Sequence, residues 1–144
     1  MNLKLIQINS SNLVKSNFRK SIESLQRLEK IDIDEIDDED DIVKPSSYAL
    51  ATARKLLNEI FDFLKEAFPY CSSSLEPQGG IDLIWDNFLL KRRIWIEIPA
   101  EKKLEITMFY RDNNQSKLVN NVDQKTVLRV LSWLNDSQTS IDSI

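Results

Sequence analysis

Leu13, Val14, Phe18, Ile22, Leu25 and Leu28 recur every three or four residues, the spacing of an amphipathic helix, and Ser10, Ser11 or Asn12 stands ready to cap it. The spacing predicts a helix over residues 12–31. A second helical stripe, Leu50, Ala53, Leu57, Ile60, Leu64 and Phe68, follows "KPSSY", where Pro45 suits a first turn and Ser46 or Ser47 a cap; Pro69 stops it. The period then changes from 3.6 to 2. Runs at 81–86, 93–99 and 104–111 alternate apolar and polar residues and are joined by "NFLLKR" and "PAEKK", the pattern of an antiparallel meander. The chain closes on "VDQKTVLRVLSWL", whose Val127, Leu128, Leu131 and Leu134 share one helical face. The expected fold is α+β: an antiparallel meander of three to four strands packed on helices, in the order α-α-β-β-β-α. One domain spans 1–144, with a helix–meander–helix core over 45–136.

Alternation also sorts the strand residues by face. Ile81, Leu83, Trp85, Ile94, Ile96, Ile98, Leu104, Ile106, Met108 and Tyr110 fall on one side, which is the expected core. The other side mixes Asp82, Ile84 and Asp86 with Arg93, Trp95 and Glu97, then with Glu105, Thr107, Phe109 and Arg111. On this side Ile84 and Trp95 become neighbours with Phe109 diagonal to them, an apolar island rimmed by charge. Either a helix, 12–31 or the last one, covers the island, or a partner protein does. The second choice makes Ile84, Arg93, Trp95, Glu97, Phe109 and Arg111 the partner-binding residues.

Both glycines of the chain, Gly79 and Gly80, stand together just before the first alternating run. A strand follows them rather than a helix N-terminus, so they read as a turn or bulge where φ > 0 is needed, not as a phosphate cradle.

Charge changes the picture mainly through its placement. The 144 residues carry 19 Lys and Arg against 23 Asp and Glu, for a net charge of −4. Eight of those acids lie within residues 32–41, which contain no base. Packed like charges favour an extended, solvated connector over 32–43. As a calcium loop starting at Asp32, the run has Ile36, Asp37 and Val43 where an oxygen ligand, a glycine and a bidentate glutamate are required.

Histidine is absent, which removes Ser-His-Asp and Cys-His nucleophile activation and most catalytic zinc sites. The single cysteine, Cys71, has no imidazole to activate it and no cysteine to pair with, which agrees with a reducing cytosol. "MNLKLIQINSSN" reaches polar residues too early for a secretory segment and no run is long enough to span a bilayer, so a cytoplasmic chain without membrane contact is expected. No cofactor is called for. "KRRIW", Lys91 to Trp95, could meet phosphates, but the overall acidity argues against direct nucleic-acid binding.

Asp82, Glu97 and Glu105 on the mixed face could together hold Mg²⁺ or Mn²⁺, the requirement of a metal-dependent phosphodiesterase or nuclease. Against it, the third strand carries "EIT" where nucleases of the PD-(D/E)xK kind place a lysine, and Glu101 and Lys103 fall in a turn.

"KPSSYAL", "GGIDLIW", "IWIEI" and "VLSWL" give residues 45–134 a resemblance to a widespread group of small bacterial proteins with a Pro-Ser helix followed by a GGIxLxW strand. The resemblance implies a helix–sheet module of small mobile genes, among which antitoxins and other neutralising proteins are common. The expected function is therefore a small protein-binding module, antitoxin-like, whose partner is another protein such as a basic toxin. Self-association into a homo-oligomer stays open, and a metal-dependent phosphodiesterase is the alternative.

Overall fold

The computed structural model describes residues 17–30 and 44–144. The acidic connector expected over 32–43 and the first turn of the helix expected from residue 12 lie outside the described residues. Residues 17–29 are helical (α1), as their spacing predicts. Helix α2, Ser47–Leu64, starts one residue after Ser46. The Ser46 hydroxyl accepts from the Ala49 N–H at 3.0 Å and donates to the Ala100 carbonyl at 2.7 Å, so this cap also ties the helix to the sheet. Pro45 precedes the cap instead of entering the first turn. The helix ends where Lys65 turns to φ 48°, and a 3-10 turn, Lys65–Ala67, leads to the buried Phe68.

Five antiparallel strands follow: β1 Ser72–Leu75, β2 Ile81–Asn87, β3 Arg92–Ile98, β4 Thr107–Arg111 and β5 Ser116–Asn120. They pair in chain order, a pure meander. Helix α3, Gln124–Leu134, is capped by Asp123, whose carboxylate accepts from the Thr126 N–H at 2.8 Å. The α+β class holds, while the expected three or four strands become five. Both additional strands are sheet edges, where one flank needs no apolar partner: β1 reads "SSSL" and β5 reads "SKLVN".

The core face is the one the alternation marks. Ile81, Leu83, Trp85, Ile94, Ile96, Ile98 and Met108 are buried, joined by Ala49, Ala53, Leu57 and Ile60 of α2 and by Val127, Val130, Leu131, Trp133 and Leu134 of α3. Leu104 departs from the expectation. It is 53% exposed, because β4 begins only at Thr107 and residues 100–104 form a turn.

Helix α1 packs beside α2, with Phe18 stacked on Phe61 at 4.1 Å between ring centroids and Leu25 in the core. It also closes the β1 edge. The hydroxyls of Ser21 and Ser24, one turn apart, accept from the Cys71 and Ser73 N–H groups at 2.8 and 2.9 Å. A strand edge that would otherwise present bare N–H groups is thereby hydrogen-bonded. Among the described residues no helix is long and apolar enough to cross a membrane.

Candidate functional site

The two faces of the meander differ in cover. The described helices pack on the Ile81–Ile96–Met108 side or along β1, so the opposite face has none of them over it. Register arranges this open face in rows that cross the strands. The middle row runs Ser72, Ile84, Trp95, Phe109, Leu118, each the direct partner of the next. Phe109 is thus opposite Trp95 rather than diagonal to it, and the two rings lie 6.0 Å apart between centroids. Phe109 is 37% and Leu118 53% exposed, and Trp95 and Phe109 line a shallow groove of about 320 Å³ with Arg93, Glu97, Arg111 and Ser116.

The row on one side of this apolar band is Asp86, Arg93, Arg111, Ser116. Arg93 forks onto Asp86, Nε to Oδ1 at 2.6 Å and Nη2 to Oδ2 at 3.1 Å. Facing the neutralised Arg93, Arg111 has no ion-pair partner among the described residues. Arg92, one position away, points to the core side. Its guanidinium lies 4.7 Å from the Trp133 ring and donates to the Trp133, Asp136 and Thr139 carbonyls, holding the end of α3. The "KRR" run is therefore not a free basic patch, since two of its three members are engaged within the fold.

On the other side of the band the row is Ser74, Asp82, Glu97, Thr107, Asn120. Asp82 and Glu97 come together as expected. Glu105 does not join them, because the partner of Glu97 is Thr107 and Glu105 precedes β4. The third carboxylate is Glu76, from the turn between β1 and β2, and oxygens of Glu76, Asp82 and Glu97 lie within 4.8 Å of one another. Glu105 instead lines the open cleft beside them, about 810 Å³, together with Glu76, Glu97, Glu101 and Leu104. Burial pushes the Asp82 carboxyl up to about 7; the Glu76 and Glu97 carboxylates add to the rise and the Trp95 indole N–H opposes it. The pair Glu101 and Lys103 is a surface ion pair at 3.2 Å, and Thr107 rather than a lysine stands beside Glu97.

Cys71 is buried, its Sγ donating to the Ser72 carbonyl at 3.4 Å, and burial pushes its thiol pKa up, which makes it a core filler. Two residues of this face escape the sequence reading. Leu118 alternates with Lys117 and Val119 in β5, a weak period-2 signal, and Glu76 opens "EPQGG", a Pro-x-Gly hairpin signal. No family model matches the chain, and neither the curated proteins nor the solved structures contain a match.

Proposed function

We propose that this chain is a protein-binding module that docks a basic partner protein on the open face of its sheet, in the manner of a neutralising protein. The row Ile84, Trp95, Phe109, Leu118 carries the reading: four apolar side chains run unbroken across four strands on a face bare of described helices. A large aromatic at the centre, apolar neighbours and a charged rim form the make-up of an interface hot spot. The partner's character follows from charge. The chain is acidic overall, and Glu101 and Glu105 border the cleft on one side of the row. Basic groups on a partner would meet them there, and a carboxylate would meet Arg111 on the other side.

A photo-reactive residue at position 118 tests the face directly. It is expected to cross-link one basic protein from the native host, while the same residue at position 63, also apolar and even more exposed on α2, does not. The purified partner should then bind the parent chain and fail to bind Leu118→Asp, whose site is exposed enough to keep the fold. Equal cross-linking from 63 and 118, or undiminished binding by Leu118→Asp, would remove the face from the account. Cross-links between copies of the chain would assign the face to self-association instead.

A further inference from the structure

We propose that Glu76, Asp82 and Glu97 form a binding site for one hard divalent cation, Ca²⁺, Mg²⁺ or Mn²⁺, at the carboxylate end of the open face. The three side chains come from a turn and two strands, yet their oxygens converge to within 4.8 Å of one another. A cation with bonds of about 2.3–2.6 Å spans oxygens up to roughly twice that distance apart, and a smaller one needs only a slight contraction of the two glutamates.

Convergence of acids alone would not make a site; the state of Asp82 does. It is only 7% exposed, and its Oδ1 is buried with no hydrogen-bond partner among the described residues, the Trp95 indole N–H beside the carboxyl being left unpartnered as well. A buried carboxylate oxygen left without a donor is costly, and the Asp82 carboxylate lies against two further ones. Asp82 and Glu97 are direct cross-strand partners, the placement in which like charges repel most. No Lys or Arg among the described residues pairs with any of the three, and Lys103 close by is bound to Glu101. One divalent cation supplies what is missing: a partner for the Asp82 carboxylate and a counter-charge where the three side chains converge.

The donor set selects the class of metal. All the donors are carboxylate oxygens, the chain has no histidine, and Cys71 is buried elsewhere with a raised pKa, so soft or imidazole-seeking metals find no ligands. The cleft of about 810 Å³ beside Glu76 and Glu97 leaves room for waters to complete the coordination. This inference does not rest on the docking reading, because it concerns the isolated chain.

The test is thermal unfolding of the full chain, stripped with chelator and titrated separately with Ca²⁺, Mg²⁺ and Mn²⁺ at physiological ionic strength. At least one cation should raise Tm saturably, because a ligand held only by the folded state stabilises it. Asp82→Asn and Glu76→Gln should each abolish most of that rise, and Glu66→Gln, which removes an exposed acid outside the cleft, should retain it. Water-proton relaxation with Mn²⁺ gives a second readout that is lost in the same two variants. Should Asp82→Asn fail to fold, Glu76→Gln decides. No saturable rise with any of the three cations overturns the proposal, and so does a rise that survives in Glu76→Gln.

Discussion

The two glycines are required for different reasons, which only the backbone around each reveals. Gly79 has φ 92° in the hairpin turn that joins β1 and β2, where its N–H returns to the Glu76 carbonyl at 3.0 Å. Gly80 has its Cα against β3, where an added Cβ would stand 2.6 Å from the Ile98 carbonyl oxygen, an atom fixed by the sheet. Gly79→Ala is expected to cost about 1 kcal/mol or more through the left-handed backbone. Gly80→Ala should cost about 1–3 kcal/mol through overpacking. Gly79→Asn should recover part of the first loss, since Asn tolerates positive φ, while Gly80→Asn should recover none; urea unfolding of the four variants checks this. Asp82 makes the stability of the fold depend on pH. Its carboxyl rises from an ordinary 3.8 to about 7 in the fold, facing Glu76 from the turn and Glu97 and the Trp95 indole from β3. The folded state thus binds this proton more tightly than the unfolded one, so the stability it contributes is complete below 3.8 and is lost as pH rises through about 7. In chelator, Asp82→Asn should gain stability relative to the parent chain as pH rises from 5 to 8, and a constant difference would show that Asp82 does not titrate there.

At the scale of elements, the β1 edge shows how a polar strand is held. "SSSL" has little to bury, yet the N–H groups of Ser73 and of Cys71 just before the strand are met by two serines spaced one turn apart on α1. Ser21 and Ser24 are buried, so truncating either leaves a desolvated backbone donor without a partner. Ser21→Ala and Ser24→Ala are each expected to cost about 1–3 kcal/mol. Hydrogen exchange should show the loss confined first to the Cys71 and Ser73 amides. Uniform loss across the sheet would mean that the helix, not its hydroxyls, protects the edge.

At the scale of the whole molecule, the helices pack on one side of the meander and along its first edge, which leaves the Trp95 row on the other. Trp95→Ala should therefore retain its circular dichroism and cooperative unfolding while costing about 2 kcal/mol or more of partner affinity, and loss of the fold instead would place Trp95 in the structural core. Much of this arrangement was legible in the chain. The 3.6-residue and two-residue periods marked all three described helices and the three central strands, because each of those elements must bury one face and so writes its period into its composition. The edges β1 and β5 were not legible for the same reason, as an edge strand half in water needs no such stripe. Asp82 and Glu97 shared a face by parity alone, whereas the choice of Glu76 over Glu105 depended on where a turn ended and β4 began. What the sequence determined by itself was local: which residues face inward, where helices start, and that one side of the sheet mixes aromatic and charged groups. Tertiary structure alone decided which helix lies where, that β1 and β5 extend the meander, and the register that sets Phe109 opposite Trp95, and hence that the aromatic row is left open and three carboxylates meet. Those outcomes depend on contacts between segments far apart in the chain, and no local pattern encodes them.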